Sequence, residues 1–137
     1  MKRLSIMALS RAVMTCVAVS LTASTADTQE SLTVNLEKQK VKLVAGGQAV
    51  AVRVEVTCSQ GSTILESLLY IVQDGNTSEF SSIPVVCDGI LHEYVVRVRA
   101  FPETLFHRGK AISSAYVLLA DPEGTSAGDT ERLRMRR

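Results

Sequence analysis

The sequence is 137 residues long, with 15 Lys and Arg against 14 Asp and Glu and a formal net charge of +1. A chain of this length holds one domain at most once its ends are set aside, and a charge near zero excludes the global field that draws nucleic acid or an anionic membrane onto a strongly basic protein. Aromatic residues make up 4% and Trp is absent, so β-branched side chains carry much of the apolar content, a bias toward strands over helices.

The first element in chain order is a targeting segment. Lys2, Arg3 and Arg11 make a basic start, the apolar run AVMTCVAVSL (Ala12 to Leu21) follows, and in TASTAD the small residues Ser24 and Ala26 have signal-peptidase spacing. The run falls short of the roughly 20 apolar residues that a stable membrane span needs. Arg11 sits late for a basic leader region, so Met7 competes with Met1 as the true start. Lipid attachment at Cys16 is the alternative processing route, but VMT before it lacks the small residue usual directly ahead of such a cysteine. The reading is a Sec-type signal peptide over residues 1–26, with cleavage after Ala26, secretion, and no stable membrane span.

Short strands separated by turns follow. SLTVNLE (Ser31 to Glu37) alternates weakly, and KVKLVA (Lys40 to Ala45) alternates again up to Gly46-Gly47. QAVAVRVEVTC is the clearest strand, with Val50, Val52, Val54, Val56 and Cys58 on one face and Ala49, Ala51, Arg53, Glu55 and Thr57 on the other. ESLLYIVQD is more uniformly apolar, as for a strand near the middle of a sheet or covered on both faces. After the DGNTS turn, EFSSIPVVC places Ile83, Val85 and Cys87 together, with Pro84 marking it as short or at an edge. Asp88-Gly89 is a turn signal. HEYVVRVRA then points Tyr94, Val96, Val98 and Ala100 one way, and KAISSAYVLLA (Lys110 to Ala120) is the last predicted strand. Seven strands and no amphipathic helix predict two antiparallel sheets packed face to face over residues 27–121. Residues 122–137, PEGTSAGDTERLRMRR after Asp121, read as a disordered, charged tail.

Removing the leader leaves two cysteines, Cys58 and Cys87. In an exported domain the simplest expectation is one disulfide; buried free thiols and a metal site are the alternatives. The two histidines lie at no ligand spacing from either cysteine, so no metal or other cofactor is expected.

A strand ending Thr57-Cys58, then VVCDG, His92 three residues past Gly89, an alternating strand, and Phe106, Gly109 and Ala111 ahead of the final strand together resemble a group of secreted, mostly actinobacterial domains. Those domains have an immunoglobulin-like fold and no assigned activity; they carry T-C-D-G-x-x-H-x-W followed by F-x-x-G-x-A. The likeness covers roughly Val50 to Leu119, and Tyr94 stands where the group has Trp. It implies an immunoglobulin-like sandwich and export, with Asp88, Gly89, His92, Tyr94, Phe106 and Gly109 as structural positions. It implies no chemistry.

The residues offer little chemistry of their own. Histidine is the residue type whose unperturbed pKa lies near neutrality, and His92 and His107 are the two present, yet no Gly-x-Ser-x-Gly turn accompanies them, and His92 is expected to cap the turn by bonding a backbone group. Asp88 alone is too few oxygens for calcium. Asn76-Thr77-Ser78 is a formal glycosylation sequon that a bacterial origin would empty of meaning. Arg53, Arg97 and Arg99 share outward faces, where Glu55, Glu66 and Glu93 are expected to pair with them across strands. RLRMRR is basic but has no aromatic for stacking on bases, so no nucleic acid is expected as a partner. The functional expectation is a secreted, non-enzymatic domain that binds an extracellular protein or cell-surface component, or plays a structural role. The alternative is a carrier of an apolar small molecule in a cleft of the sandwich, although only Tyr70, Phe80, Tyr94, Phe101, Phe106 and Tyr116 could supply aromatic lining.

Overall fold

The computed structural model describes residues 32–137, so the expected signal peptide lies outside the described residues. These form nine strands: β1 Leu32–Asn35, β2 Gln39–Lys42, β3 Ala49–Cys58, β4 Thr63–Gln73, β5 Asn76–Thr77, β6 Ser81–Ser82, β7 His92–Arg99, β8 Gly109–Asp121 and β9 Ser126–Arg136. One sheet has the order β1-β3-β7; the other runs β2-β9-β8-β4-β5, with β6 also paired to β4. All pairings are antiparallel except β2 on β9, which is parallel. The first segment therefore serves both sheets: β1 lies on β3, and past Leu36 the chain crosses over so that β2 can lie on β9. This is an immunoglobulin-like sandwich.

The core follows from the period of two. Val50, Val52, Val54, Val56 and Cys58 of β3 are buried, and they form one cluster with Leu69 and Ile71 of β4, Val98 of β7 and Val117 and Leu119 of β8. Where β1 runs out, at Asn35 opposite Glu55, the backbone of Arg53 would lack a partner. The buried side-chain amide of Gln39 takes the place of a strand: its Nε2 donates to the Arg53 carbonyl at 3.0 Å and its Oε1 accepts from the Arg53 N–H at 3.0 Å. One amide carries both the donor and the acceptor that an edge backbone requires, and here it ties the two sheets together.

Gly46-Gly47 forms a turn, as its sequence signals, within the 3-10 element Ala45–Gly47. Gly47 has φ +97°, and a Cβ there would lie 2.1 Å from the carbonyl oxygen of Phe106. The Phe106 N–H in turn donates to the Gly47 carbonyl at 2.8 Å. Only glycine permits that approach.

One expectation needs correction. Residues 122–137 are not a disordered tail: β9 fills the place between β2 and β8, with Leu133 2% and Met135 1% exposed. Its composition is polar, but the alternation of Leu133 and Met135 with Arg132, Arg134 and Arg136 is that of a half-buried strand. EFSSIPVVC is short, as Pro84 predicts: it pairs only at Ser81–Ser82, since Pro84 has no N–H to continue a ladder. Of the two alternatives for ESLLYIVQD, β4 is a strand inside the sheet, with β8 on its other side, and it is not covered on both faces. It lies next to the two-residue edge strand β5, and its outward Leu68, Tyr70 and Val72 are only half-buried.

Candidate functional site

The disulfide corner gathers six of the residues singled out in the sequence: Cys58, Cys87, Asp88, Gly89, His92 and Tyr94. Cys58 and Cys87 are joined by a disulfide, with Cα atoms 4.4 Å apart. The turn beyond Cys87 docks onto the end of β3, where the Gly89 N–H donates to the Cys58 carbonyl at 2.8 Å. Asp88 closes the turn twice: Oδ1 accepts from the Ile90 N–H at 3.0 Å and Oδ2 lies 2.8 Å from Nε2 of His92. The expectation that His92 bonds a backbone group is thus corrected, because its partner is the Asp88 carboxylate. That contact first, and the Ile90 N–H second, hold the Asp88 carboxyl below the usual carboxylate range. Tyr94 accepts from the Val86 N–H at 2.9 Å through its hydroxyl, and its ring lies 6.0 Å from that of His92. A phenol can do this and an indole cannot, because an indole only donates. Phe106 and Gly109 belong elsewhere: Phe106 is buried against Gly47, and Gly109 starts β8 opposite Met135.

His107 is held differently. Gln73, itself buried, brackets its backbone, accepting the His107 N–H at 3.0 Å and donating to its carbonyl at 2.8 Å. Nδ1 of the ring donates to the Arg108 carbonyl at 3.1 Å, while Nε2 makes a short contact with Oδ2 of Asp74. With an acceptor at each nitrogen the charged imidazolium is favoured, and the Arg108 carbonyl first and the Asp74 carboxylate second raise its pKa.

The outer face of the larger sheet holds a feature that sequence reasoning missed. A cleft of about 810 Å³ runs across β2, β9, β8 and β4, walled by Lys38 and Lys40 on one side and by Asp74 and Gly75 on the other. The register explains its charge. Lys40 pairs with Arg134, which pairs with Lys110, so three cations stand side by side across three strands. In the adjacent row Arg132 pairs with Ile112, and Ile112 with Val72. Among the described residues the only ion pairs within 4.0 Å are His92–Asp88 and His107–Asp74, so none of these cations is neutralised by a carboxylate. The signal was present in RLRMRR, whose alternation sets Arg132 and Arg134 on the face away from Leu133. Reading the segment as a tail removed it from any surface.

On the smaller sheet the expected cross-strand ion pairs do not form. Arg53 lies opposite Val95, Arg97 opposite Ala51, and Glu55 opposite Glu93. Glu66 lies on the other sheet and accepts the Tyr116 hydroxyl at 2.5 Å, which raises the Tyr116 pKa.

Among the described residues no group of three or more His, Cys, Asp or Glu side chains could hold a metal ion, and no helix is long and apolar enough to cross a membrane. No family model and no curated protein matches the sequence.

Proposed function

We propose that the chain is an exported, non-enzymatic immunoglobulin-like module that works outside the cell by binding a surface component or an extracellular protein. The observation that carries this reading is the Cys58–Cys87 disulfide. Reducing compartments keep such thiol pairs open, whereas exported small domains use them to offset a limited core. The bridge spans 29 residues of sequence and contributes about 3–4 kcal/mol in the chain-entropy picture, a large share of the roughly 5–15 kcal/mol of a whole domain. The basic start and the small-residue site at Ala26 supply the export route, and the similarity to secreted actinobacterial domains agrees with it.

The test is to follow the tagged chain in its host with and without residues 1–26. The intact gene should place the protein outside the cytosol, and the truncated one should leave it inside. Equal distribution of the two forms would contradict the proposal.

A carrier of small molecules is the second reading. The 810 Å³ cleft supports it, because that volume falls within the range of ligand pockets. Its cationic lining suits an anionic ligand better than an apolar one.

A further inference from the structure

We infer that the cleft on the outer face of the larger sheet is a binding site for an acidic polysaccharide, a sugar chain bearing carboxylate or sulfate groups. This rests on the extracellular reading only for where the polymer would be met; the site itself is argued from its residues.

Like charges set directly opposite one another on a sheet are destabilising. Lys40, Arg134 and Lys110 nevertheless occupy neighbouring positions of one row, and Lys42 lies opposite Arg136 in the next. No carboxylate lies within 4.0 Å of any of them among the described residues. In a chain whose formal net charge is only +1, that concentration on one face is a local field that favours an anion. Neighbouring strands lie about 4.8 Å apart, so the row extends across roughly 10 Å and meets several charges of an elongated ligand rather than one compact anion.

The rest of the lining narrows the class. Ile112, 46% exposed, and Val72 give the floor an apolar strip directly beside Arg132. A pyranose chain has both parts that such a floor suits: C–H ring faces for the strip and anionic substituents for the arginines, which can grip carboxylate or sulfate with two donors. A bare phosphate polymer has no apolar face to use the strip. A nucleic acid strand would want aromatic side chains for its bases, and no lining residue is aromatic. A bilayer is flat, whereas Lys38 on one wall and Asp74 on the other flank a recessed floor.

The experiment uses the oxidised full chain and five probes: polygalacturonate, heparin, uncharged dextran, polyphosphate and phosphatidylglycerol vesicles. Polygalacturonate or heparin should bind, with affinity that weakens as salt rises, and dextran should not. Arg132→Ala with Arg134→Ala should weaken that binding about tenfold or more, and so should Lys40→Ala with Lys110→Ala, which guards against a folding defect in the first pair. Arg97→Ala with Arg99→Ala, on the other sheet, removes the same charge and should change affinity by less than about twofold. Equal losses from all three pairs would reduce the effect to net charge and overturn the site. Binding of polyphosphate or vesicles without binding of either acidic polysaccharide would overturn the ligand class. An exported chain that binds neither polysaccharide refutes this inference alone, and a binding chain that stays in the cytosol refutes only the proposed export.

Discussion

The carboxylate of Asp129 accepts the backbone N–H of Leu36 at 2.7 Å, joining residues 93 positions apart. Leu36 is the point at which the first segment leaves the smaller sheet, and Asp129 lies on the strand that receives it on the larger one. The bond therefore fixes the crossover that gives the sandwich its immunoglobulin-like wiring. Asp129→Ala should cost about 1–3 kcal/mol, since it leaves a partly buried N–H without its charged acceptor. Asp129→Asn keeps an acceptor and should lose less. Urea unfolding of both variants measures the difference.

The same strand supplies a sharper test. Leu133 is buried between the sheets, so Leu133→Ala should destabilise by about 2–5 kcal/mol. Truncation after Gly124 removes β9 entirely and should abolish cooperative unfolding, whereas loss of a docked-nowhere tail would leave the melting curve unchanged.

Gly47 should tolerate no side chain. Its left-handed φ and the 2.1 Å approach of the Phe106 carbonyl to a would-be Cβ predict a loss of more than about 2 kcal/mol for Gly47→Ala. Gly46→Ala is the control, because it shares the positive φ and has nothing within 4 Å of its Cβ. Thermal unfolding of the two side by side separates the clash from the strain.

The two His–Asp contacts predict opposite limbs of the pH–stability curve. The Asp88 carboxyl is held low by His92 and by the Ile90 N–H, so its contribution is present above its ordinary value of about 3.9 and is lost as pH falls through the depressed one. His107 is raised by the Arg108 carbonyl and by Asp74. Its contribution is complete below about 6.5 and disappears as pH rises through the raised value. Asp88→Asn should flatten the acid limb and His107→Gln the limb above neutrality. Both contacts are exposed, so the slopes should be shallow. Melting temperatures across the pH range read them directly.

What the sequence disclosed tracks how much of each element is fixed locally. The valine face of β3 and its inward Cys58 were legible because a period of two over ten residues has one reading. Cys87 could be paired with Cys58 by counting. By contrast, β9 has only Leu133 and Met135 to mark its inner face over its last turns of alternation, and Asp129 and Glu131 hold inward positions that look like solvent residues. Their role is set by Leu36 and by Ser113, whose hydroxyl donates to the Glu131 carbonyl, partners far away in the chain. The cleft was hidden for the same reason: Lys40, Arg134 and Lys110 become neighbours only when β9 docks between β2 and β8. Gln39 and Gln73, the buried amides that replace missing backbone partners, carry no local pattern at all.

The proposed life of this protein outside the cell is tested most directly by the redox state and N-terminus of the chain recovered from its host. Cells are quenched with an alkylating agent, the protein is isolated without reductant, and its mass and peptide map are measured. The account predicts a chain beginning after Ala26, with a single linked peptide pair joining Cys58 to Cys87 and no alkylated thiol. A chain that retains Met1 and carries alkyl groups on both Cys58 and Cys87 would contradict it.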